Sequence, residues 1–192
     1  GKTLNNLTIN GANSTVSATT SDLTVGGTLT IGGVGDANND TLDIASGRTI
    51  TLSGNTGTTL DIKGSGTDSI TGAGTLVYQN TATVFPTTGT LGSTLVTRFD
   101  TVNGALTVPA RTDYGSIEAY GASANARTIT LGTASSQTIT TAGNFYVIAS
   151  AASPNHVTVQ GATNDPTLNI GGDLDFTGAG SANEILVAPD VA

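Results

Sequence analysis

The sequence contains no cysteine, no methionine and no tryptophan. Without thiols there is no disulfide to staple a small scaffold and no cysteine nucleophile. His156 is the single histidine, so a multi-imidazole zinc centre is excluded. A Ser-His-Asp triad would rest on that residue alone, with no G-x-S-x-G elbow in the chain. Charged residues make up only 10% of the sequence, where about a quarter is usual. Lys2, Arg48, Lys63, Arg98, Arg111 and Arg127 are scattered and outnumbered by 14 acids, for a net charge of −8. Such a chain has nothing with which to neutralise nucleic-acid phosphates, and no polybasic anchor for a membrane surface. No apolar run approaches the roughly 18 residues of a membrane-spanning helix. The Gly-rich GGVG at 32–35 is followed by neither Lys-Ser/Thr nor a helix start, so it does not read as a phosphate loop.

Threonine fills the space that charge leaves, at about a fifth of the chain, with Gly, Ser and Asn around it. Thr is β-branched and polar, which suits a pleated surface facing water. Apolar residues recur in pairs separated by one residue: Leu7/Ile9, Leu23/Val25, Leu29/Ile31, Leu42/Ile44, Ile50/Leu52 and Leu60/Ile62 among the first 62 residues. The same pattern continues at Leu76/Tyr78, Leu106/Val108, Ile129/Leu131, Phe145/Val147, Val157/Val159, Leu168/Ile170, Leu174/Phe176 and Ile185/Val187. Period two predicts strands with one buried face. Each pair is followed by Gly, Asn, Asp or Ser, the residues of tight turns. The chain therefore reads as all-β, built of many short strands.

The segment LTVGGTLTI at 23–31 is echoed by LNIGGDLDF at 168–176, and RTITL at 48–52 by RTITL at 127–131. Self-similarity of strand–turn units predicts a repeat architecture. We expect a parallel β-solenoid (β-helix), in which each short strand stacks on its counterpart one turn away. Glycine corners fit that arrangement. So do like residues at the outward positions, where Thr8, Thr24, Thr30, Thr51 and Thr130 would form ladders. The alternative is an antiparallel β-sandwich that donates a terminal strand to its neighbour. Residues 1–192 are expected to form one domain, less regular and loop-rich at 80–127, where Pro86, Pro109, Phe85, Phe99, Tyr114 and Tyr120 fall. That stretch reads as aromatic packing under longer loops, or else as an insertion, a contact surface or wider coils. Strand units run close to both ends, so the chain is expected to continue a longer array or to join neighbouring molecules.

Residues 4–33, LNNLTINGANSTVSATTSDLTVGGTLTIGG, resemble the repeats of large secreted bacterial adhesins of the filamentous-haemagglutinin and autotransporter-passenger type. GAGTLVYQN at 72–80 is similar to a degenerate autotransporter-associated repeat. The resemblance extends loosely over 4–80 and 127–187. It implies a right-handed β-helix at the cell surface and carries over no catalytic residue. A cysteine-free, acidic, Thr- and Asn-rich composition points to the same extracellular setting.

GDANND at 35–40 places Asp36, Asn38 and Asp40 at alternate positions, with Asp43 following. Alternate oxygen side chains open calcium loops. However, Thr41 stands where such a loop carries Gly, and Gly47 where it carries the bidentate Glu. Calcium is thus a candidate ligand, against the simpler reading of an Asx-rich turn. Asp43 and Asp61 sit in L-D-I triplets and are expected to point outward, as solvated acids rather than a glycosidase pair. His156, after Pro154-Asn155, reads as a turn residue. The T-x-T units at 28–30, 49–51, 128–130 and 138–140 are similar to those of ice-binding solenoids, but strand propensity accounts for them more simply.

The expected function is that of a non-enzymatic extracellular structural protein. It would be a subunit of a surface filament or a segment of a large adhesin, assembling through open strand ends with no required cofactor. Its partners would be identical copies, the rest of a longer chain, or a host or neighbouring cell surface. The alternative is a β-helix module that binds or cleaves carbohydrate, which requires the aromatics and acids of 80–127 to gather in a cleft.

Overall fold

The computed structural model describes residues 1–35, 37–55, 59–63, 67–121, 127–150, 156–161, 166–178 and 184–188. Within them the chain winds as a parallel β-solenoid. The first coil carries β1 (Lys2–Leu4), β2 (Leu7–Ile9) and β3 (Thr15–Ala18). The second carries β4 (Leu23–Val25), β5 (Leu29–Ile31) and β6 (Thr41–Ile44), and the third β7 (Thr49–Leu52), β8 (Leu60–Ile62) and β9 (Ser69–Gly72). The fourth has β10 (Thr75–Tyr78) and β11 (Thr90–Leu91); the fifth has β12 (Val96–Asp100) and β13 (Leu106–Val108), with a short 3-10 turn at Thr101–Asn103 between them. Three strands per coil return in β14 (Ser116–Gly121), β15 (Arg127–Leu131) and β16 (Thr138–Thr141). They continue in β17 (Phe145–Ala149), β18 (His156–Gln160) and β19 (Thr167–Ile170). The last described coil contributes β20 (Leu174–Gly178) and β21 (Glu184–Ala188).

One strand per coil builds an eight-stranded sheet, β1-β4-β7-β10-β12-β14-β17-β20. The second side is split into β2-β5-β8 and β13-β15-β18-β21, and the third into β3-β6-β9-β11 and β16-β19. The named strands pair in parallel throughout. That pairing confirms the solenoid and removes the sandwich alternative, whose strands would run antiparallel.

Register puts like on like. Leu7, Leu29 and Leu60 stack, as do Ile9, Ile31 and Ile62. On the first side the inward column runs Leu4, Val25, Leu52, Tyr78, Phe99, Ala119, Val147, Phe176. Alternation thus fills a narrow core from all sides, and each buried Val, Leu or Ile contributes roughly 1.5–3 kcal/mol. Corners between strands must let one coil lie against the next. A Cβ on Gly27 would stand 2.5 Å from the Asn5 carbonyl oxygen of the coil before, and one on Gly172 would meet the Gly143 backbone. The amides at these corners donate backward to the preceding coil, Gly27 to Asn5 and Gly172 to Gly143.

The described residues of 80–127 belong to the stack. Its coils are among the tightest, with 20 residues from Arg98 to Glu118 on the next coil, against 29 from Asn144 to Asp173. Phe85 lies where the fourth coil has no second-side strand, in edge contact with Tyr78 at 5.3 Å and Phe99 at 5.5 Å. Tyr114 completes the cluster at 6.3 Å from both Phe85 and Phe99. The expectation of aromatic packing under loops holds for these residues, and wider coils are not what they form.

Candidate functional site

Polar ladders tie the coils together, and they account for Asp40 among the residues that the sequence marks as candidates. Asn13 Oδ1 accepts the Asn39 amide at 2.9 Å, and Asn39 Oδ1 accepts the Thr67 amide at 3.0 Å. Asp40 is fully buried, and its two carboxylate oxygens accept the amides of Gly11 at 3.0 Å and Ser14 at 2.7 Å on the first coil. Asp40 therefore spends both oxygens on backbone donors, as an Asx staple does. Asn38 lies beside it in the connection and Asp43 lies on the outward face of β6, between Ser17 and Thr71 in register. Asp36 falls outside the described residues. Among the described residues no three acidic or histidine side chains are grouped as metal ligands.

Asp61 points outward and pairs with Lys63 at 2.6 Å, as a solvated acid does. His156 opens strand β18 rather than a turn, which corrects the reading drawn from Pro154-Asn155. The T-x-T units form no continuous threonine face: Thr30 stacks between Thr8 and Asp61, and Thr51 between Thr24 and Val77.

A lateral notch of about 570 Å³ is lined by Thr87, Gly89, Thr90, Arg111, Asp113 and Thr138. It lies where the third side carries no strand between β11 and β16. Arg111 is buried, and its guanidinium donates to Asp113 and to the carbonyls of Pro86, Thr88 and Gly89. Asp113 also accepts the Leu91 amide at 2.9 Å. This clamp replaces a missing ladder and spends the Arg111 guanidinium on acceptors of the chain itself. An Arg-x-Asp in a proline-flanked stretch is its only trace in the sequence, and that reading did not anticipate it. On the outer face of the long sheet Arg98 pairs with Glu118 and covers the Tyr120 ring, 4.5 Å from its centroid. The aromatics and acids of 80–127 are thus divided between core, clamp and outer face.

What remains is the end of the stack. β1, β2 and β3 are each paired on one side only, so their outer backbone groups meet no strand in the described residues. Between them lies an apolar hollow of about 210 Å³, lined by Leu4, Leu7, Val16, Ala18, Leu23 and others. Leu4 is 39% and Val16 42% exposed, although Val25 and Leu42, stacked on them in the next coil, are buried. Among the described residues β20 is likewise paired on one side only, and Leu174 and Phe176, in inward columns, are exposed. Lys2 occupies the inward column of β1, and inward-pointing charge is a common device for discouraging indiscriminate edge pairing.

No family model, no curated protein and no solved structure matches this chain. No helix among the described residues is long and apolar enough to cross a membrane.

Proposed function

We propose that this chain is a non-enzymatic structural module of the cell exterior, the subunit of a surface filament or a segment of a large adhesin. It extends by adding coils to its open strand edges. The observation that carries this reading is the parallel stack itself: one strand from each coil builds a single eight-stranded sheet, and polar side chains are spent on the amides of neighbouring coils. Unpaired strand edges template further strands, and an apolar patch between them gains by being covered. Each added coil advances the stack by about 4.8 Å. Composition supports an extracellular setting, with no cysteine and a threonine-rich surface. No cofactor enters this role. The carbohydrate reading draws less support, because Phe85, Phe99 and Tyr114 are core residues and Tyr120 lies under Arg98.

Electron microscopy and sedimentation of the purified chain, without additives, test the proposal. Unbranched fibres one solenoid wide are expected, growing with concentration. Monomers that stay dispersed at every concentration and degrade a polysaccharide would reverse it.

A further inference from the structure

We propose that the outer face of the long sheet, across β12, β14, β17 and β20, docks a basic partner protein, which lays an arginine or lysine side chain over Tyr146. This face is separate from the strand edges, so the inference holds whether or not copies assemble. One outward column of the sheet runs Thr3, Thr24, Thr51 and Val77, then changes to Arg98, Glu118, Tyr146 and Asp175. Of the four tyrosines and four phenylalanines, Tyr120 and Tyr146 alone project outward from a sheet. The rest are buried, except Phe176 in its inward column. Outward side chains stand perpendicular to the sheet, so coils stacked above or below leave them uncovered.

The chain carries its own version of this contact. Arg98 lies over the Tyr120 ring, 4.5 Å from its centroid, and pairs with Glu118 on the next coil. In register, Arg98 stands one coil before Tyr120 and two positions back along the strand. The same step from Tyr146 leads to Ser116. The Ser116 hydroxyl accepts the Asn144 amide at 3.1 Å, and a serine is too short to cover a ring. Tyr146 therefore lacks the cation that Tyr120 holds, and among the described residues no other cation covers it. Its ring is held ready. Asn144 Nδ2 donates to the phenol oxygen, and Asn144 Oδ1 accepts the Asp173 amide at 2.9 Å. A ring fixed in advance loses little freedom on binding.

Charge decides what covers the ring. Glu118 precedes Tyr146 in its column, Asp175 follows it, and exposed Asp173 stands two residues before Asp175. The one cation on this part of the face, Arg98, is already engaged by Glu118 and Tyr120. A cation over Tyr146 gains from the ring face and from the carboxylates together. A second copy is a poor occupant, because a net charge of −8 makes copies repel. A neutral sugar makes no use of the carboxylates' charge. Neither hollow described above touches this face, so it does not enclose a free small cation. A protein that presents the cation also covers Tyr120, Ile148 and Thr177, which stack beside Tyr146 in the next outward column.

Fluorescence anisotropy of a labelled oligo-arginine peptide, titrated with the full purified chain, tests this docking. Binding is expected, and added salt is expected to weaken it by screening the carboxylates. Tyr146→Leu removes the ring and keeps every charge; it is expected to weaken binding roughly three- to tenfold. Tyr146→Phe keeps the ring face and is expected to bind nearly as the unsubstituted chain does. Asp175→Asn is expected to weaken binding about two- to fivefold. Asp43→Asn removes the same charge from another side of the solenoid and is expected to change nothing.

Absence of binding overturns the proposal. So does a Tyr146→Leu loss no larger than that of Asp43→Asn, because diffuse negative charge then accounts for the attraction. Dextran, a neutral polysaccharide, serves as the second probe. If Tyr146→Leu abolishes dextran binding and leaves the peptide bound, the face takes a sugar and the proposal falls. If Tyr146→Leu leaves the peptide bound and disperses copies in sedimentation, the occupant is a second copy and the proposal falls as well.

Discussion

The first three coils and the two that follow solve the same packing problem differently. Coils one to three carry a strand on every side and fill the interior with Leu, Ile and Val stacked in kind. Coils four and five each lose a strand, on the second side and then on the third. There the lost ladder is replaced by bulk and charge: Tyr78, Phe85, Phe99 and Tyr114 fill the volume, and Arg111 satisfies the loose carbonyls of 86, 88 and 89. A solenoid can thus drop a strand if a ring occupies the gap and a guanidinium takes over the backbone's hydrogen bonds.

The sharpest way to break this comparison is to empty one gap. Phe85→Ala should cost about 3–5 kcal/mol in chemical denaturation, whereas Ile62→Val in the regular coils should cost about 0.5–1.5 kcal/mol. Equal losses would mean that the ring is not what replaces the strand. Next in size, Arg111→Met should cost about 3 kcal/mol, because Asp113 and three carbonyls lose their donor together. A loss below about 1 kcal/mol would show that water serves those carbonyls as well.

The smallest effect is expected from alkali. Burial pushes the Tyr78 phenol up, partly offset by its hydrogen bond with Thr83. Burial also pushes the Tyr114 phenol up; Arg111 lowers it and Asp113 raises it. Both folded values lie above the unfolded one, so the folded chain holds these protons longer. The stability they confer is complete below the ordinary tyrosine value of 10.0 and declines as pH rises past it. The slope is at most about 1.4 kcal/mol per pH unit for each phenol. Thermal melts from pH 8 to 11 should be flat until about pH 10 and then fall, and Tyr114→Phe should lessen the fall. The aliphatic coils hold no tyrosine, so amide exchange should show the opening start at coils four and five.

Strand identity and facing were legible from local pattern, since alternation at Leu29/Ile31 or Leu60/Ile62 needs no distant information. Coil phase was not. LTVGG at 23–27 ends a first-side strand, whereas LNIGG at 168–172 ends a third-side strand. RTITL likewise spans into β7 on the first side and forms β15 on the second. The repeat is therefore a corner, reusable at any vertex, and not a whole coil. Asp40 shows the same limit of local pattern. Its neighbours in sequence suggest a metal loop, but its partners, Gly11 and Ser14, lie 29 and 26 residues earlier.

By itself the sequence determined that the chain is made of short, one-faced strands with glycine corners, because those properties depend on steric preferences and burial of adjacent residues. Which strands share a side, where a ring stands in for a strand, and which polar side chain serves which amide were decided only by the stack. Those choices rest on contacts between residues 20 to 29 positions apart. Such contacts depend on loop lengths and volumes summed over a whole turn of the solenoid, and no local window contains them.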